Sequence, residues 1–145
     1  MPIERNYVQE NRAATERLRR LVKRLTDAQL LTPMGEHWTV AICLAHMVFW
    51  DRRVMYVMEM TRKDGKLSIP QLDIVINDLS VPLWAAIPPR EAARLAVETA
   101  DECDKKLEAF PQDLLGLMYE HNKRLVMRSL HRGEHLDEID AALRK

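Results

Sequence analysis

The chain has 145 residues, of which 47% are hydrophobic and 30% are charged. This length predicts a single domain, residues 1–145, with a core of its own. Basic and acidic residues balance at 22 each, which gives no electrostatic footprint for nucleic acid. No apolar run reaches the ~18 residues of a membrane span, and the first residues lack the apolar core of a signal peptide. We therefore expect a cytoplasmic protein that binds neither nucleic acid nor membrane.

The first half of the sequence predicts two long helices. Apolar residues recur at helical spacing across residues 3–25. Residues 40–60 are the most apolar segment and predict a second, largely buried helix with Thr39 as its N-cap. The glycine-containing segment 63–66 is expected to end it.

The second half predicts two further long helices after an irregular segment. In residues 69–87, Pro70 can start a helix and Pro82 interrupts one. A third helix is predicted over residues 90–110, with Pro89 in its first turn, then a connection at 111–116 and a fourth helix over residues 118–143. The sequence thus predicts an all-α four-helix bundle with an irregular segment between helices two and three.

Two histidines on the fourth predicted helix are the first candidates for chemistry. His131 and His135 are four residues apart and project from one helical face. A bare pair at this spacing is a weak signal, since an exposed polar pair has the same pattern. With Glu134, the pair also matches the motif of inverted zinc peptidases. Those enzymes need a third ligand well downstream, so in this sequence a third ligand is expected upstream of the pair.

His46 is the obvious third ligand. It lies in an apolar segment that should be buried, and a buried imidazole needs either a hydrogen-bond partner or a metal ion. If it meets His131 and His135, three neutral imidazoles form a divalent-metal site with an open coordination position. A site of close histidines is also sensitive to acid, which displaces metal from imidazole.

Other polar residues near these helices have less support. Cys43 lies one turn before His46 and is either a fourth ligand or, more in keeping with its type, a small core residue. His37 and His121 are expected outside the site. Asp51 and Glu59 are either supporting groups or surface charges, and the sequence leaves this open.

Four segments, taken together, resemble the DinB-like superfamily of helical bundles, which includes the YfiT-like proteins. They are GEHWTV at residues 35–40, LAHM at 44–47, DIVIN at 73–77 and HRGEHLDEI at 131–139. The third is similar to a segment of the N-terminal domain of mycothiol-dependent maleylpyruvate isomerase. The resemblance implies a four-helix bundle of the DinB/YfiT-like type.

The resemblance also implies a metal site and a range of reactions. His46, His131 and His135 would be the ligands of a divalent metal ion, zinc or nickel, with an open position for water. Characterised relatives include thiol transferases, an isomerase and metal hydrolases. We therefore expect a metal-dependent enzyme with thiol (S-)transferase chemistry on a small-molecule substrate, a low-molecular-weight thiol among its reactants.

Two alternatives stay open from the sequence. One is a metal-dependent hydrolase, in which water replaces the thiol. The other is a non-catalytic helical bundle that forms a homodimer, for which Met55, Met58 and Met60 could supply an apolar surface. Core packing is the commoner role of methionine.

Overall fold

Four long helices pack side by side in the computed structural model, which describes residues 3–145. The helices are α1 (Asn6–Arg24), α2 (Asp27–Leu30), α3 (Val40–Asp64), α4 (Ile76–Leu79), α5 (Val81–Ala85), α6 (Pro89–Ala109), α7 (Gln112–His121) and α8 (Arg128–Leu143). A short ladder joins β1 (Pro33–Met34) to β2 (Trp38–Thr39). Helix α3 packs on α6, α6 on α1, α1 on α8 and α8 on α3, which confirms the predicted all-α four-helix bundle. Within the described residues, every helix is too short or too polar to cross a membrane.

Helix α3 begins and ends where the sequence predicted. The Thr39 hydroxyl accepts the backbone N–H of Ile42 at 3.2 Å, which satisfies a donor that the first turn leaves free. Gly65, with φ of 69°, adopts the left-handed conformation that ends the helix. Residues 40–47 are all buried, so this end of α3 forms the centre of the bundle.

The predicted fourth helix over residues 118–143 is confirmed from Arg128 to Leu143 but broken before it, and the predicted connection at 111–116 is wrong because most of it is helical. Helix α7 occupies part of that connection because Leu115 and Met118 bury their side chains in the core. The chain then leaves helical geometry at Asn122, whose side-chain oxygen accepts the backbone N–H of Arg124 at 3.0 Å. This local bond competes with continuation of the helix, and α8 starts afresh at Arg128.

A buried asparagine on α1 holds the restarted chain in place. The Asn11 amide donates to the carbonyl of Val126 at 2.8 Å, and its oxygen accepts the backbone N–H of Ser129 at 2.9 Å. These bonds satisfy two backbone groups that the break exposes, one of them in the first turn of α8. Asn11 therefore fixes where α8 begins and which way its side chains point.

The segment between α3 and α6 is irregular, as predicted, but its helix starts differ. Pro70 does not begin a helix; α4 begins at Ile76, and Pro82 lies in the first turn of α5 rather than interrupting a longer helix. Proline is tolerated there because a first-turn N–H has no helical partner. The indole N–H of Trp50 on α3 donates to the Asn77 side-chain oxygen at 2.9 Å, which ties this segment to the bundle.

Candidate metal centre

Three histidines from two helices meet at one point. His46 on α3 has its Nε2 atom 3.2 Å from Nε2 of His131 and 3.0 Å from Nε2 of His135, both on α8. One ligand atom from each residue lies within 4.8 Å of the other two. The structure thus brings together the three histidines that the sequence singled out.

The three imidazoles are arranged better for binding a divalent cation than for hydrogen bonding to one another. A tetrahedral ion with bonds of about 2.1 Å separates its ligand atoms by about 3.4 Å, close to the observed 3.0 and 3.2 Å. Each neutral imidazole brings one N–H and one lone pair, and the single Nε2 lone pair of His46 cannot serve both neighbours well. The buried Nδ1 atoms of His46 and His135 lack a hydrogen bond, although the latter lies 3.1 Å from Glu138 Oε1. A cation that accepts three Nε2 lone pairs resolves the conflict at the centre.

Aromatic neighbours keep these imidazoles neutral. The Trp38 and Trp84 rings lie 4.8 and 5.5 Å from the His46 ring, centroid to centroid. Burial, helped by the nearby His135, lowers the pKa of His46 to about 3. Burial also lowers the pKa values of His131 and His135. Neutral imidazole is the form that binds metal, so no ring has to lose a positive charge before an ion binds at pH 7.

An arginine behind the cluster sets the tautomer of one ligand. Arg128 Nη2 lies 3.2 Å from His131 Nδ1. A guanidinium has only donors, so Nδ1 accepts and the neutral ring carries its proton on Nε2. Metal binding through that Nε2 therefore requires loss of this proton or release of Nδ1 by Arg128. Arg128 Nε in turn donates to Asp51 Oδ1 at 2.8 Å, which places Asp51 behind the site as a supporting group.

The other sequence candidates lie outside the cluster. Cys43 is fully buried and packs with Leu44 and Met47 in the hydrophobic core, as its type favoured. His37, His121 and Glu59 are exposed. Among the predicted residues, only the three histidines therefore form the candidate metal-ligating group.

Sequence reasoning missed the buried arginines of α8. Arg132 is 0% exposed and donates to Asp104 Oδ1 at 2.8 Å and to the Thr15 hydroxyl at 3.0 Å. Arg128 and Arg132 share the inward face of α8 with Leu136. The available signal was two arginines at positions where an apolar stripe should continue.

The histidine cluster lies in the wall of an open cavity of about 560 Å³. The break before α8 contributes Asn122 and Leu125 to its lining, and the irregular segment contributes Leu72, Ile74 and Asn77. Asn77 belongs to the DIVIN segment that the resemblance picked out. The remaining lining residues are Trp38, His46, Trp50, Arg53, Arg124, Arg128, His131 and His135.

The family follows from a match along most of the sequence. A model of the DinB superfamily matches residues 10–137, a range that includes all three histidines. The chain belongs to the DinB superfamily. DinB proteins form a metal-binding family, and the three-histidine group of this DinB chain can hold a metal ion. No curated protein and no solved structure matches the chain.

Proposed function

We propose that this DinB protein is a divalent-metal-dependent enzyme acting on a small molecule, and that its reaction is thiol transfer. The observation that carries the proposal is the convergence of three Nε2 atoms in the wall of a cavity large enough for a small organic ligand. His46, His131 and His135 would hold the ion, zinc or nickel, and leave a coordination position toward the cavity. A divalent ion there lowers the pKa of a coordinated thiol or water and so supplies a nucleophile at neutral pH.

The lining of the cavity favours a thiol over water as the nucleophile. Within residues 3–145, none of the lining side chains is a carboxylate. The described part of the chain therefore offers no acidic general base in the cavity to take a proton from water. A thiol has an ordinary pKa of about 8.5, so it needs a far smaller shift than water to ionise at pH 7.

The proposed step is a substitution at an electrophilic carbon. The thiol loses its proton to solvent through the open mouth of the cavity, and its sulfur forms a bond to the carbon. The bond from that carbon to the leaving group breaks, and the leaving group departs with the electron pair. Trp38 and Trp84 shield the His46 imidazole from water, and Arg128 lies behind the ring of His131.

Metal analysis of tag-free protein tests the site. We expect one zinc or nickel ion per chain in the wild type and none in the triple variant His46→Ala/His131→Ala/His135→Ala. The matched control is His37→Ala/His121→Ala, which removes two exposed histidines and should keep the metal. Equal metal content in the triple variant would overturn the site.

An activity assay tests the reaction separately. Zinc- or nickel-loaded protein is mixed with a panel of low-molecular-weight thiols and an aryl halide whose substitution changes its absorbance. We expect faster thioether formation than with metal alone, and loss of that rate in the triple variant. If the loaded protein instead hydrolyses a chromogenic ester or amide and leaves the thiols unreacted, the hydrolase alternative replaces thiol transfer.

Homodimer formation is a separate proposal. Met58 is buried, Met55 packs against the same core cluster and Met60 is half-buried, so the three methionines offer little of the expected apolar surface. Among the large apolar side chains, those with the greatest exposure lie on and beside α4 and α5; they are Ile74, Leu79 and Leu83. Sedimentation velocity at several concentrations, with Leu79→Ser/Leu83→Ser as the variant, tests whether two copies associate through this segment.

A further inference from the structure

The cavity beside the histidines has an unbalanced charge. Three arginines line it, and no carboxylate does within the described residues. Two of the three are already paired: Arg124 forms two hydrogen bonds with Glu134, and Arg128 pairs with Asp51. The third, Arg53, forms no ion pair within residues 3–145.

Arg53 is held in a place that is costly for an unpaired cation. Its Nε atom is buried without a hydrogen bond, and its guanidinium lies 5.6 Å from the centroid of the Trp50 ring. Burial, together with the positive charge of Arg128, lowers the pKa of Arg53. A partly desolvated cation without a counter-ion gains free energy when an anion reaches it.

Apolar side chains surround this cation on the cavity wall. Leu72 and Ile74 line the cavity, yet Ile74 is 77% exposed and Leu72 is 40% exposed. Trp50 adds an aromatic surface and donates its indole N–H to the Asn77 side-chain oxygen at 2.9 Å. Among residues 3–145, the lining therefore combines one cation without an ion pair and an uncovered apolar wall.

We propose that the cavity binds a small monocarboxylate whose charge pairs with Arg53 and whose apolar body lies against Trp50, Leu72 and Ile74. This inference names the substrate class of the proposed enzyme and rests on the proposed function for its catalytic meaning. One uncompensated arginine matches one negative charge, and the planar fork of a guanidinium matches the two oxygens of a carboxylate. Arg53 is a binding residue in this proposal and does not act on the metal site.

A binding experiment on the metal-free full chain tests the proposal without any activity assay. The probes are phenylacetate and its neutral analogue phenylacetamide. The readout is the indole N–H resonance of Trp50 in a two-dimensional NMR spectrum. We expect phenylacetate to bind at millimolar concentration and phenylacetamide to bind about tenfold more weakly, because a charge-assisted hydrogen bond is lost.

Two arginine variants separate a specific pair from general attraction. Arg53→Met should weaken phenylacetate about tenfold and leave phenylacetamide unchanged. The matched control is Arg52→Met, which removes the exposed neighbouring arginine and should change binding by less than about twofold. Arg53→Lys keeps the charge without the planar fork and should give an intermediate affinity.

The outcomes are distinguishable from failure of the metal site. No phenylacetate binding in the wild type, equal binding of both probes, or equal losses in Arg52→Met and Arg53→Met would each overturn the proposal. The wild-type comparison of the two probes holds even if Arg53→Met fails to fold. Zinc or nickel is then added to the same samples and its uptake measured, so a chain that binds phenylacetate but takes up neither ion would refute the proposed enzyme while keeping the carboxylate pocket.

Discussion

Two groups of buried polar side chains lie next to each other in this bundle, and they are built differently. Around Arg132, each charge lies beside an opposite charge: Asp104 is 2.8 Å and Asp51 is 3.4 Å from the guanidinium. The Thr15 hydroxyl also donates to Asp104 at 2.5 Å. Burial still raises the pKa of Asp104, so these contacts offset a real desolvation cost. Although Arg132 Nε lacks a hydrogen bond, the charges of this cluster balance one another without any ligand.

The histidine cluster is built from three groups of one kind. Its Nε2 atoms face one another at 3.0 and 3.2 Å, and the buried Nδ1 atom of His46 has no hydrogen bond. Two groups on the same helix thus differ: the arginine network joins α8 to α1 and α6 through opposite charges, whereas the three histidines turn lone-pair atoms toward one point and can hold a metal ion. The contrast teaches that buried polar groups of one kind that converge on one point indicate a ligand site, whereas paired opposite charges indicate a structural role.

The largest loss of stability is expected from breaking the arginine network around Arg132. Arg132→Met leaves Asp104 and Asp51 short of a buried partner and should lower the free energy of unfolding by about 3–5 kcal/mol. Urea denaturation measures this loss. Arg17→Met is the matched control, because Arg17 pairs with largely exposed Asp137 and should cost less than about 1 kcal/mol. Similar losses in both variants would show that the network adds nothing to stability.

The histidine cluster should instead stabilise the folded chain when a metal ion binds it. With free zinc at about 100 times its dissociation constant, the wild type should gain about 2.7 kcal/mol in free energy of unfolding, since the ion binds only the folded chain. The triple histidine variant should gain nothing. Thermal unfolding with and without zinc measures the difference. A gain of the same size in the triple variant would place the ion elsewhere.

Removing the Asn11 side chain, which holds the start of α8, should cost less stability than breaking the arginine network. Asn11→Ala leaves the Ser129 N–H without its partner and the Val126 carbonyl with the Arg128 N–H alone, and should lower the free energy of unfolding by about 2 kcal/mol. Asn6→Ala, which removes an exposed asparagine from the same helix, is the control for urea denaturation. We also expect weaker zinc binding in Asn11→Ala. Unchanged affinity would mean that the start of α8 does not position its histidines.

The histidine cluster should make the stability of the folded chain sensitive to acid. The folded-state pKa of His46, about 3, lies below the ordinary value of about 6.5. Between these two values the unfolded chain therefore binds a proton that the folded metal-free chain does not. This contribution to stability is fully present above about pH 6.5 and is lost as pH falls toward 3. The expected slope is about 1.4 kcal/mol per pH unit for each proton taken up on unfolding.

Urea denaturation of metal-free protein between pH 6.5 and 5 measures the slope before most carboxylates titrate. The triple histidine variant should lose most of it, whereas His37→Ala/His121→Ala should keep it because those side chains are exposed in both states. An equal slope in the triple variant would assign the acid sensitivity to other groups.

Local sequence patterns predicted much of the fold and the three candidate histidine ligands. The apolar stripe of residues 40–60, the cap at Thr39 and the glycine at 65 determine α3 through contacts within a few residues. The i, i+4 spacing of His131 and His135 also survives the break before α8, because both residues follow it. These features depend on short-range geometry, which the sequence order contains directly.

The break itself and the partners of the histidines depended on distant residues. Asn11 stabilises the restart of α8 from 115 residues away, and Asp51 holds Arg128 from 77 residues away. The sequence by itself determined the helical class, the ends of α3 and three histidines able to share a metal ion. Only the tertiary structure decided that they meet, that arginines complete the neighbouring core, and that a cation-rich cavity opens beside them. Those outcomes require helices far apart in sequence to pack together, and no local pattern encodes which side chains that packing makes neighbours.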